Sequence, residues 1–320
     1  MICLEPGLQM TFLRSHRWKQ WGLRLLPKRA LTAAVGRFAR MRLSRLLIPH
    51  YVRWYQIDAD EAELPLAAYS SLCEFFTRGL RPGARPLATE GLISPVDGTV
   101  SALGRILEGT LLQAKGCLYT VSALLGSERD AQVFEGGHYI TLYLSPRDYH
   151  RIHMPLSGEV VFWRYIPGRL YPVNALGVAA VPGLFSKNER LVSWLETRYG
   201  RLAMVKVGAT VVGSIRTPYG PWFTGAWNRH RRRVHEGAVE LWLDKGGELG
   251  RFELGSTVIL LCPPGMLKNF TVRSGSSVRM GEQLAQMNPL PTRPIRSSNV
   301  NPVTQAGTAA LGTTHNWRPI

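Results

Sequence analysis

YITLYLSP, Tyr139 to Pro146, is a short apolar run of β-formers closed by a Ser-Pro turn signal. A run of this length, bounded by turn residues, reads as a buried strand, since helices need about ten residues or more. Similar segments follow at Gly158–Tyr165, Met204–Ile215, Ala238–Leu243 and Thr257–Leu261, separated by Gly, Pro and Asp. From Gly91 onward the texture is therefore that of a β-rich body. Ahead of it, residues 62–80 read as a helix with Leu66, Tyr69, Leu72, Phe75 and Phe76 on its apolar side. The Pro and Gly of RPGARP, Arg81 to Pro86, end it. Ala175 to Tyr199 mixes loop with strand or short helix. Beyond about Pro289 the chain turns rich in Pro, Thr, Asn and Gly, which predicts a flexible C-terminal tail over 291–320. The expected class is α+β: a β-rich domain over 61–290 preceded by amphipathic N-terminal helices in 1–60.

The charge is unevenly spread. The 320 residues carry a formal net charge of +17, with 45% hydrophobic residues, a globular composition drawn to phosphate. Met1 to Tyr55 holds eleven Lys and Arg against one acid, Glu5, interleaved with Trp18, Trp21, Leu25, Leu26, Leu46 and Leu47. Leu31, Val35 and Phe38 recur at helical spacing. No run reaches the roughly 18–20 apolar residues that span a bilayer, and charges interrupt every candidate signal-peptide core. Two readings stand: a basic helix pair packed on the domain behind it, or an interfacial segment with Arg at headgroup phosphates and apolar side chains below.

Several chemistries find no motif. There is no GxGxxG, P-loop, HExxH or EF-hand loop, and Cys3, Cys73, Cys117 and Cys262 form no CxxC, so they read as free thiols. His150 and His153 of HRIH could meet on a helical turn, but no convincing further ligands accompany them, and no metal is expected.

Three stretches can carry chemistry. SPVDGTV, Ser94 to Val100, is a turn between strands, or holds Asp97 for use. YLSPRDYHRIHMP, Tyr143 to Pro155, gathers Arg147, Asp148, His150, Arg151 and His153 at a strand end. That suits acid–base work, although either histidine could be an ordinary surface residue. FELGSTVILL, Phe252 to Leu261, places a hydroxyl one residue after Gly255, whose carbonyl is unshielded. It reads as a turn entering a strand, or as an N-to-O acyl shift in which Ser256 attacks Gly255. The shift needs a base and donors for the oxyanion.

Taken together, PVDGTV at 95–100, LQAKG at 112–116, YLSPRDYHRIHMP at 143–155 and YIPGRLYPVN at 165–174 resemble the bacterial phosphatidylserine decarboxylases. LFSKNER at 184–190, VGATVVGSI at 207–215, GRFELGST at 250–257 and CPPG at 262–265 continue the match in family order. The resemblance implies self-cleavage between Gly255 and Ser256 into a β chain, 1–255, and an α chain, 256–320. Asp97, His153 and Ser256 correspond to the cleavage triad: His153 takes the Ser256 proton and Asp97 orients the imidazole. Ser256 becomes a covalent pyruvoyl cofactor. Its ketone condenses with the amine of phosphatidylserine, and the adjoining carbonyl accepts electrons as carbon dioxide leaves. The product is phosphatidylethanolamine. His150 is implied in decarboxylation as a proton donor. The family also implies a peripheral protein on the cytoplasmic side of the cytoplasmic membrane and a homodimer; no nucleic-acid partner is expected, since the basic chain carries no coherent recognition motif. Its motif often carries Lys where Glu253 stands here; neither side chain is needed for the acyl shift. The competing readings are a pyruvoyl decarboxylase of a soluble amino acid and a non-catalytic module binding anionic lipid or nucleic acid. A serine hydrolase fits poorly, since Ser256 is not in GxSxG.

Overall fold

The computed structural model describes residues 28–113, 118–210, 214–219, 233–253 and 256–289. The chain divides into two units, Met1–Pro289 and Leu290–Ile320; the second, with the expected tail, lies outside the described residues, as do Cys3, Cys117 and Gly255.

Two helices, α1 (Lys28–Arg40) and α2 (Ile48–Tyr55), are joined by a 3-10 segment at Arg42–Leu47. The helical spacing of Val35 and Phe38 thus falls on a helix, as expected. The single helix expected over 62–80 does not form. In its place stand a 3-10 turn at Leu66–Ala68 and the short α3 (Leu72–Phe76). The break follows from Ser71, which is extended and caps α3 by accepting from the Glu74 amide; a cap starts a helix and cannot sit inside one.

The body is an eight-stranded antiparallel sheet. Its strands are β2 (Gly98–Arg105), β5 (His138–Leu144), β7 (Gly158–Ile166), β8 (Arg190–Thr197), β9 (Gly200–Val207), β11 (His235–Leu243), β13 (Ser256–Cys262) and β15 (Ser277–Val278). Their order is β11-β7-β8-β9-β13-β5-β2-β15. The expected apolar segments are its strands, with one correction. Met204–Ile215 is not one strand: β9 stops at Val207, and Ser214–Arg216 is β10, in a different sheet. Ala175 to Tyr199 resolves into helices at Ala175–Ala180 and Leu184–Lys187 followed by β8.

β13 is buried along its whole length because both sheet faces are covered. Val258, Leu260 and Cys262 enter one core with Ile140, Leu142, Ile152 and Phe252; Ile259 and Leu261 enter the other with Val192, Val205 and Leu124. A strand with two apolar faces reads as a continuous run, which is why STVILLC shows no alternation. Over the first core lies a small sheet of β10, β12 (Glu248–Glu253) and β6 (Arg151–His153). HRIH is therefore strand rather than helical turn, so its two imidazoles are not stacked for a shared metal.

Candidate active site

Ser256 opens β13 opposite Leu144, the last residue of β5. Its Oγ is buried and has no hydrogen-bond partner among the described residues. β5 runs on into the loop 145–150, which returns as β6 beside β12. Because β12 leads back toward β13, Ser256 and the loop carrying His150 are brought to the same end of the sheet. Phe252, four residues before Ser256, donates its amide to the His150 carbonyl at 2.9 Å.

The 145–150 loop is tied by Asp148, whose carboxylate accepts from the Ser145 amide at 2.6 Å and hydroxyl at 2.8 Å. His150 is fully buried with Phe76 at 4.0 Å between ring centroids. Its Nδ1 donates to the Asp148 carbonyl at 2.8 Å. That contact fixes the tautomer and leaves Nε2 as a buried lone pair with no partner among the described residues. Burial pushes this imidazole down to about 3, with the nearby Arg78 charge acting the same way and the Asp148 contact opposing. His150 is a neutral base.

His153 is differently held. Its Nδ1 donates to the Gly246 carbonyl at 2.7 Å, and its Nε2 accepts from the Tyr149 hydroxyl at 2.9 Å. Burial keeps its pKa below the ordinary histidine value, although Gly246, Glu248 and Asp97 pull the other way. Gly246 can turn its carbonyl to the ring because it adopts φ +83, a left-handed conformation few other residues tolerate.

Asp97 ends the turn before β2. Arg85 donates to it from Nε at 2.9 Å and Nη2 at 2.6 Å, and the Met280 amide adds a third donor at 2.8 Å. The next residue must be glycine: a Cβ on Gly98 would stand 2.4 Å from the Tyr143 carbonyl. Asp97 and His153 are neighbours through backbone, His153 donating its amide to the Pro95 carbonyl at 2.8 Å. Among the described residues no hydrogen bond joins Asp97, His153 and Ser256. The structure brings Ser256 and His150 to one sheet end and leaves Asp97 and His153 engaged with other partners. Sequence reasoning missed Tyr149, Arg85 and Gly246, which hold these groups. Tyr149 stood inside the quoted YLSPRDYHRIHMP segment; the other two become visible only when distant segments meet.

Glu253 is also part of this end. It accepts from Ser214 and from Arg216 Nε, the latter at 2.7 Å, and pairs with Arg40 of α1. Burial works against its ionisation, but Ser214, Arg216 and Arg40 outweigh it and hold the carboxyl below its ordinary value of 4.5. A carboxyl depressed in the fold stabilises above that value, and the contribution is lost as pH falls below it. Glu253→Ala, made in an uncleavable Ser256→Ala background, is expected to lose about 1–2 kcal/mol in urea unfolding at pH 7. The figure is at the low end because Arg40 and Arg216 are 38% and 41% exposed. The difference should shrink toward pH 3.

Comparison with known proteins assigns the family. Residues 72–286 match the family model for phosphatidylserine decarboxylase. A phosphatidylserine decarboxylase proenzyme of Brevibacillus brevis is 50% identical over 266 residues, covering 81% of this chain and 94% of that protein. Proenzymes of the same name from Anaeromyxobacter sp. and Acidovorax ebreus are 49% and 45% identical, each over 82% of this chain and 95% and 94% of their own length. These matches define a self-processing enzyme that makes its electrophile from its own chain. The chain belongs to the phosphatidylserine decarboxylase family.

Proposed function

We propose that the chain matures by cutting itself between Gly255 and Ser256, and that Ser256, His153, Asp97 and His150 carry its two chemistries. The activity is that of the family: conversion of phosphatidylserine to phosphatidylethanolamine and carbon dioxide, with a pyruvoyl cofactor. The observation that carries the assignment to this site is the buried, partnerless Oγ of Ser256 at the head of the central strand. A pyruvoyl group there is no bulkier than the serine it replaces, so the position fits it. When formed, that group supplies a carbonyl to take the substrate amine and an electron sink for loss of carbon dioxide.

The side chains divide as follows. His153 Nε2 is the proton acceptor for the Ser256 hydroxyl, reached once Tyr149 swings aside or directly through its hydroxyl. Asp97 supplies negative charge that favours the imidazolium, while Arg85 keeps the carboxylate in place. His150 Nε2, neutral and holding a spare lone pair, serves the bound substrate; it takes a proton there and returns it to the carbon that loses its carboxylate. Incubating the purified chain with phosphatidylserine vesicles while following product formation and intact mass tests the assignment. Turnover by a chain that stays uncut would refute it.

The cytoplasmic face of the cytoplasmic membrane is the location we infer, with α1 and α2 as the contact. No described helix is long and apolar enough to cross a membrane. On these helices and their link Leu43, Leu46, Leu47 and Trp54 are exposed, Trp54 by 83%, among Arg42, Arg45 and Arg53. That combination suits an anionic lipid surface. Trp54→Ser is expected to weaken binding to phosphatidylserine-containing vesicles by about tenfold in a sedimentation assay, with self-cleavage unchanged. The resemblance further carries a homodimer, which sedimentation of the matured protein in detergent would decide.

A further inference from the structure

Arg78 has no part in the chemistry above, yet it borders the same loop. It follows α3 by two residues and is only 5% exposed. Its Nε and Nη1 are both buried without a partner among the described residues, and Nη2 reaches the Arg147 carbonyl of the 145–150 loop at a long 3.4 Å. The guanidinium otherwise rests on the Phe75 ring, 5.0 Å from its centroid. Buried cations are ordinarily paired. Among the described residues the carboxylate whose charge bears on it, Asp97, is already taken by Arg85 and the Met280 amide. The protein therefore holds a charged, planar donor close enough to His150 to act on its charge, and the described residues supply no free anion for it.

We propose that Arg78 binds the phosphodiester of the serine phospholipid, a role that rests on His150 and Ser256 forming the active site. The substrate brings two anions, and the reaction distinguishes them. A guanidinium on the carboxylate would stabilise a charge that must vanish as carbon dioxide forms, and so would raise the barrier. The phosphodiester keeps its charge from substrate to product, so a contact there binds both states alike and fixes the headgroup. Only two carbons separate the headgroup amine from the phosphate ester oxygen. The phosphate must therefore be met in the pocket where the amine reacts rather than at the membrane surface.

Arg78→Gln and Arg78→Lys test this, with intact mass reporting maturation and turnover measured on phosphatidylserine in mixed micelles. Both variants are expected to mature. KM should rise by about tenfold or more in Arg78→Gln and by less in Arg78→Lys, with kcat within about threefold of wild type. Glycerophosphoglycerol, a phosphodiester with neither amine nor carboxylate, should inhibit the wild type competitively and Arg78→Gln far more weakly. An unchanged KM, or a fall in kcat with inhibition retained, would overturn the proposal. So would failure of both variants to mature, which would assign Arg78 to processing. If only Arg78→Gln fails to mature, the inhibition of Arg78→Lys decides. A wild-type chain that neither matures nor turns over would instead sink the site assignment beneath it.

Discussion

Ser256→Ala is expected to yield one chain of 35.7 kDa, with no smaller fragment and no decarboxylase activity. In the proposed chemistry the hydroxyl is the nucleophile of the acyl shift and, once esterified, the leaving group whose elimination opens the way to the pyruvoyl group, so its loss removes two steps at once. Ser256 is fully buried, and alanine is smaller and removes a polar atom that has no partner among the described residues. The variant should therefore fold as well as the parent or slightly better, because an unmet buried hydroxyl costs roughly 1–3 kcal/mol. Denaturing mass spectrometry reads cleavage, and urea unfolding reads the fold. A Ser256→Ala chain that still divides would place the scissile bond elsewhere and remove Ser256 from the chemistry.

His150→Asn should separate the two stages. Asparagine can keep a donor toward the Asp148 carbonyl while removing the Nε2 lone pair. Cleavage should proceed, since the carbonyl that receives the Phe252 amide is main chain and survives the change. Decarboxylation should fall by about a hundred- to ten-thousand-fold, the range for losing a positioned acid–base group. The pH behaviour gives a second reading. The folded imidazole titrates near 3 against an ordinary 6.5, so the unfolded chain takes up this proton first as pH drops. In the Ser256→Ala background, stability is expected to decline between pH 6.5 and 3, and His150→Asn should remove part of that slope. Full decarboxylase activity in a matured His150→Asn enzyme would exclude the assignment.

Much of this arrangement was legible in the chain, for identifiable reasons. Tyr139–Leu144 and Thr257–Leu261 are apolar throughout because their strands are central, and a continuous short run carries that information locally. Residues 62–80 misled because Leu66, Tyr69, Leu72, Phe75 and Phe76 fit one helical face, whereas Ser71 acts as a cap within the run. Met204–Ile215 misled because apolarity says nothing about where a strand leaves its sheet. At the site, Ser256 and both histidines could be named from their motifs, but not what holds them. The His153–Gly246 contact spans 93 positions and Arg85–Asp97 spans twelve. Such pairings depend on how segments meet. Arg78 escaped notice for the opposite reason: its meaning lies in the partner it lacks.

The position of β13 has one more consequence. A newly cut N-terminus is usually the loosest part of a chain, and an electrophile carried on one would wander through many orientations. Here the cut would free residue 256 at the head of a strand flanked on both sides, with Thr257 opposite Tyr143 on one neighbour and Val207 on the other. Both neighbours belong to the other fragment, so the ends cannot drift apart without dismantling the sheet. The reactive carbonyl would thus be held at a fixed address, and its high effective concentration toward a bound amine would come from the ladder itself.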